Sequence, residues 1–272
     1  MIKMAGSSRK DGMTLLGEHY AVTFRYDARS GKHVYGIYPI QDTVSDEKSW
    51  LNLPILRGLV RLFRNPAILT AWGFGFAGIG GALLLGKSRH WTGKALGAGL
   101  IASEYAFILG MMYKVFGPGG HLREYHGAEH KVINAYTLSG KELTPEQAAA
   151  ASRISRRCGT NFIVYYTAAG MTVGLLPLGH GVLQNMLVLG TAYEAFRLPE
   201  EKMPWLKRKL NYAGDKLQQF VTTAEPEEER LEAARAGLNL LIKAEAGELS
   251  EDEMKMYREN AGKRSLMDRL LG

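Results

Sequence analysis

The run Pro66–Gly86, PAILTAWGFGFAGIGGALLLG, carries no charge over 21 residues. That is the length a helix needs to cross a bilayer core. Its glycines and alanines suit close helix–helix approach in lipid and would weaken a helix in water. A buried core helix in a water-soluble fold is the alternative, and the glycine density argues against it. A second apolar run, Ala95–Phe116, contains Glu104 and Lys114. An ionisable group at such depth faces protein or water rather than lipid, so Glu104 is either functional or paired with a neighbouring helix. Two shorter runs follow, Phe162–Leu178 and Val182–Phe196, joined by Gly179-His180-Gly181. Each is short for a crossing, which suggests a tilted pair or a hairpin lying partly above the bilayer. The expected fold is therefore mainly α: a multi-pass helical membrane protein of about four apolar spans, with a small N-terminal β-hairpin or sheet and a cytoplasmic helical tail.

Basic residues give the expected orientation. Arg57, Arg61 and Arg64 precede the first span, Arg153, Arg156 and Arg157 the third, and Arg197 and Lys202 follow the last. With four spans all of these face one side, which by charge bias is the cytoplasm. Lys87, Arg89 and Lys94 lie in the opposite loop, a conflict that a re-entrant first hairpin would remove.

Composition narrows the classes further. Of 272 residues 46% are apolar and 22% charged, so the chain can bury enough surface to fold and is not intrinsically disordered. The single cysteine, Cys158, excludes a disulfide scaffold. The net charge of +7 comes from residues that flank apolar runs, with no basic stripe interleaved with aromatics. Nucleic acid is therefore not an expected partner. The first eleven residues are polar, without the apolar stretch of a signal peptide.

Six regions follow from the pattern. Residues 1–50 form a small β-containing region: His19–Tyr26 and His33–Tyr38 alternate, and Asp27–Lys32 between them is turn-rich. Two strands are not stable alone, so this sheet must rest on other parts of the chain. Residues 51–65 read as a basic amphipathic helix, and 66–116 as a transmembrane hairpin. Residues 117–161 form a polar loop, 162–198 the second, shorter apolar hairpin, and 199–272 a helical tail. Thr144-Pro145-Glu146-Gln147 and Ser250-Glu251-Asp252-Glu253 are capping boxes that open helices.

The densest polar cluster is His121–Lys131, HLREYHGAEHK. His126 and His130 stand four apart, which on a helix places both imidazoles on one face within reach of one metal ion. Glu129 completes H-x-x-E-H, the inverted zinc-peptidase spacing, with two histidine ligands and a glutamate base. A catalytic zinc needs a third protein ligand and an open position for water. Candidates are Glu194, then His121, then Cys158. The bland alternative is that the two histidines hydrogen-bond with Glu124, Glu129 and Tyr125 and hold no metal. Cys158 follows Arg156-Arg157, so a reactive thiolate is a further option, as are packing and metal ligation.

At these residues the chain resembles a known family. Tyr125–Lys131 (YHGAEHK), Arg157-Cys158-Gly159-Thr160, and Tyr193-Glu194 with Arg197 resemble the hallmark blocks of the YqhQ-like bacterial membrane proteins, domain of unknown function 1385. Pro54–Gly58 and Leu217–Leu241 are similar to flanking blocks of that family. The resemblance runs from about Asp11 to Lys243. It implies a multi-pass protein of the bacterial cytoplasmic (inner) membrane with its site on the cytoplasmic side. It also makes Glu194 the preferred third ligand, since that residue sits inside a family block on a different helix.

Two functions are expected on this basis. One is a zinc-dependent hydrolase or peptidase: His126, His130 and Glu194 hold a divalent ion, zinc by ligand type, and Glu129 deprotonates the bound water. Arg123, Arg157 or Arg197 would orient a carboxylate or stabilise an oxyanion, and His121, Glu124 and Cys158 are additional candidates. Its partners would be the lipid bilayer and a peptide substrate or membrane protein. The alternative is a non-enzymatic assembly or translocation accessory protein with a structural metal or polar cluster. A transporter using Glu104 fits less well, because the spans show no internal repeat.

Overall fold

The structure is a computed structural model that describes residues 2, 4–40, 91–92, 121–173 and 182–260. Four strands lead the chain: β1 (Ala5–Ser8), β2 (Gly12–Leu16), β3 (Tyr20–Asp27) and β4 (Lys32–Pro39). They pair as an antiparallel meander in sequence order. The hairpin expected from the alternation is β3–β4, with Tyr26 opposite His33. β1 and β2 extend it on the other side. Period-two side-chain direction stacks Met13–Phe24–Tyr35 and Leu15–Val22–Ile37 as two rows on one face.

That face is covered by helices. α1 (Leu122–Ser139) contacts β1 and β2, and α2 (Pro145–Ala150) packs on α1. Helices α3 (Gly159–Val173), α4 (Val182–Arg197) and α5 (Pro204–Leu217) follow, then a π-helical turn over Gln218–Thr222. α6 (Glu228–Ala246) returns to lie across β3 and beside α1, and a further helix spans 251–260. Met13, Leu15, Val22, Phe24 and Ile37 from the sheet are fully buried against Tyr125, Ala128 and Val132 of α1 and Ala234, Leu238 and Leu241 of α6. Each large apolar side chain in this core stabilises the fold by roughly 1.5–3 kcal/mol. The sheet thus rests on helices, as two lone strands require.

The chain divides into two compact units. The first holds the sheet, α1, α2 and α6. In the second, α3 and α4 form a hairpin around Tyr165, Ala169, Val188 and Ala192. Buried Lys207 of α5 caps the end of α4 by donating to the carbonyls of Ala195 and Phe196, 3.2 and 2.9 Å away. Tyr165 donates to Asn211 at 2.8 Å.

The membrane expectation is corrected. Among the described residues, no helix is long and apolar enough to cross a membrane. The described parts of α3 and α4, where the third and fourth spans are expected, comprise 15 and 16 residues. Their sequences also carry threonines, Asn161, Gln184, Asn185 and Glu194. Among the described residues the architecture is a four-stranded antiparallel sheet packed with helices, not the expected mainly α, multi-pass membrane bundle. The inner-membrane, multi-pass localisation falls with it. The basic helix over 51–65, the runs 66–86 and 95–116 with Glu104, and the turn 179–181 lie outside the described residues.

Candidate metal centre

α1 carries the site because two faces of one helix do different work. Tyr125, Ala128, Val132 and Tyr136 point into the core at helical spacing. His126 and His130, one turn apart, project from another face with ring centroids 4.4 Å from each other.

Both rings are oriented from behind by backbone carbonyls. His126 Nδ1 donates to the Thr222 carbonyl at 2.9 Å, and His130 Nδ1 donates to the Arg153 carbonyl at 2.7 Å. A neutral imidazole with its proton on Nδ1 carries its lone pair on Nε2. This backing is the one that metal-ligating histidines use, since it fixes tautomer and ring direction together.

The two carbonyls belong to segments held firmly against α1. The first is the stretch that leaves the π-turn. Arg123 donates to the carbonyls of Phe220 and Thr223, and the Arg123 carbonyl accepts from Ala224 N–H at 2.8 Å. Lys131, 7% exposed, ends 2.6 Å from Glu225. Gly127 permits this approach: a Cβ there would lie 2.1 Å from the Ala224 carbonyl oxygen. The second segment is 152–155. Asn134 donates to the carbonyls of Ser152 and Ile154 at 2.8 and 3.0 Å. Fully buried Gln218 pairs both ways with Ser155, accepting from its N–H and donating to its carbonyl. Arg153 reaches across to Thr223 Oγ1 at 2.7 Å.

Cys158 comes five residues after Arg153, in the turn that opens α3, and its sulfur accepts from Thr160 N–H. A ligand atom from each of His126, His130 and Cys158 lies within 4.8 Å of the others, the His/His/Cys group found among the described residues. Zinc and other borderline-soft divalent ions favour imidazole with thiolate.

Glu129, next to His130 on α1, reaches β1. It is 7% exposed and bonds Ser8 of β1 through Oε2. Gly6 makes room for it, since a Cβ at Gly6 would lie 2.6 Å from the Glu129 carboxyl carbon. Burial raises the Glu129 carboxyl above its ordinary range, opposed by the Ser8 bond and the nearby His126.

The remaining candidates are dispersed. His121 lies at the start of α1 with Nδ1 3.1 Å from Glu124. Glu124 also accepts from Arg230 at 2.7 Å. Partial burial acts to raise the Glu124 carboxyl, but His121, the Glu227 N–H and Arg230 together hold it below its usual range. Arg123 serves the backbone bonds described above, and Arg157 is exposed. Arg197 is exposed and rests on the Tyr193 ring, 5.5 Å from its centroid. Glu194 is on α4 and is not a member of the His/His/Cys group.

Several contributors carry no sequence signal. Thr222 and Arg153 act through their carbonyls, which every residue possesses. Ser8 and Gly6 matter only because β1 pairs beside β2 and meets α1. Gln218 is one of two adjacent glutamines that look alike in sequence.

Comparison with known proteins matches the same region. The family model described as "Protein of unknown function (DUF1385)" matches residues 100–244, more than half of the chain. The "Uncharacterized protein YqhQ" of Bacillus subtilis (strain 168) is 39% identical over 142 residues, covering 48% of this chain and 43% of that protein. The chain therefore spans less than half the length of this curated relative. No solved structure matches. With His126, His130, Cys158 and Glu129 all inside the matched residues, the chain belongs to the DUF1385 family of proteins of unknown function.

Proposed function

We propose that His126, His130 and Cys158 bind one divalent metal ion, zinc by ligand type, and that the protein is a metal-dependent hydrolase. The observation that carries the reading is the pair of Nδ1–carbonyl bonds, at 2.9 and 2.7 Å, behind two imidazoles on one helix face. Chance histidines on a helix have no need of such matched backing. Three protein ligands leave one tetrahedral position for water, the arrangement of catalytic sites. When bound, the ion would supply Lewis acidity and lower the pKa of that water. Glu129, next to His130 and seated on Ser8, is the proton-accepting carboxylate of this reading.

A structural metal is the second reading. What favours it is that the cluster ties α1 to two backbone segments through Thr222 and Arg153. Elemental analysis of the purified full chain tests the shared claim, with about one ion per chain expected in the wild type. His126→Ala/His130→Ala should lose it. In cobalt-loaded protein Cys158→Ser should abolish the thiolate charge-transfer band, whereas Glu194→Gln should leave it. Absence of metal after reloading, or a band that survives Cys158→Ser, overturns the ligand set. A cobalt spectrum that shifts on addition of azide supports the open, catalytic site; one that ignores azide supports the structural site.

A further inference from the structure

A groove lies between α1, α2 and the first turns of α6, with a volume of about 850 Å3. Part of its lining is apolar: Ala148, Ala149 and Leu231 with Pro145 and Pro226. The rest is charged, with five acidic residues, Glu146, Glu225, Glu228, Glu229 and Glu232, against two cations, Lys131 and Arg235. Both cations are already committed. Lys131 ends 2.6 Å from Glu225, and Arg235 ends 2.5 Å from Glu232 and donates to the Leu143 carbonyl at 2.8 Å. Glu146, Glu228 and Glu229 are left to give the groove its negative field. Glu229 lies 3.7 Å from His33, and burial favours the neutral form of that histidine.

We propose that this groove docks an extended peptide segment rich in lysine or arginine. Charge complementarity selects the sign of the partner. The apolar part of the lining selects a peptide over a simple cation. Lysine and arginine lay aliphatic stems along apolar surface while their charged heads reach outward to carboxylates. Ala148, Ala149 and Leu231 offer that surface in the same groove as the carboxylates. The volume also falls in the range of roughly 300–1,000 Å3 that organic ligands occupy, far more than a bare ion needs. This inference does not depend on the metal site.

The test uses the full chain and a short fluorescent peptide alternating lysine and alanine, followed by anisotropy. The same peptide with glutamate in place of lysine serves as the control. The lysine peptide should bind, the glutamate peptide should not, and added salt should weaken binding. Glu146→Gln and Glu228→Gln, at exposed positions, should each weaken it roughly two- to five-fold. Ala149→Arg, also exposed, should abolish it by placing a bulky cation in the groove lining. Circular dichroism of each variant checks that the fold is retained. Equal binding of both peptides, no binding of the lysine peptide, or binding indifferent to Ala149→Arg overturns the proposal. A salt-sensitive dimer lost in Ala149→Arg would place a second copy of this chain in the groove and overturns it equally.

Discussion

His33 is ringed by aromatic side chains, with centroids of Phe24, Tyr26 and Tyr125 at 5.7, 5.5 and 6.0 Å. Its Nε2 bonds the Tyr125 hydroxyl at 2.8 Å. Burial holds its pKa below the ordinary 6.5; Glu229 opposes the shift and Arg230 adds to it. The same burial pushes Tyr125 up to about 12, so that partner stays a neutral phenol. The folded protein therefore takes up the His33 proton less readily than the unfolded chain. Its stabilising contribution is complete above about pH 6.5 and is lost as pH falls through the lower folded value. Thermal unfolding should show a smaller acid-induced fall in Tm for His33→Gln than for the wild type. Because Glu129 titrates in both proteins, the difference isolates His33. Equal falls would remove His33 as the source.

At the scale of elements, the π-turn Gln218–Thr222 and the residues that leave it form a clasp over α1. Gln218 is its fulcrum, since one buried side-chain amide satisfies both backbone groups of Ser155. Truncation would leave a buried donor and a buried acceptor unpaired, at about 1–3 kcal/mol each. Gln218→Ala should therefore lower unfolding stability by about 2–4 kcal/mol in chemical denaturation. It should also weaken metal retention, because the same segments present Thr222 and Arg153 to the two histidines. A loss of stability with undiminished metal retention would separate the clasp from the site. The sequence makes α1 legible through its i, i+4 histidines, and α2 through its capping box, in which Thr144 accepts from Gln147 N–H as expected. β1 and β2, AGSS and GMTLL, are too short for periodicity to identify; pairing with β3 makes them strands.

For the molecule as a whole, a site that joins α1 to distant backbone segments couples metal binding to folding. An ion that binds only the folded chain stabilises it by about 2.7 kcal/mol at a hundred-fold excess over its Kd. For a chain of this size that is a Tm rise on the order of 5 °C. Zinc should raise the Tm of the wild type by that amount and leave His126→Ala/His130→Ala unmoved; equal shifts would mean binding elsewhere. By itself the sequence determined what depends on near neighbours along the chain: the H-x-x-E-H spacing, the β3–β4 hairpin, the helix caps and the family blocks. It misled where apolar runs were counted as four membrane spans: among the described residues no helix is long and apolar enough to cross a membrane. Tertiary structure alone decided which carbonyls stand behind His126 and His130, that Cys158 joins them, and that Glu129 turns to Ser8. Helix periodicity is written every few residues, whereas these partners are brought together by contacts between residues 23 to 121 positions apart.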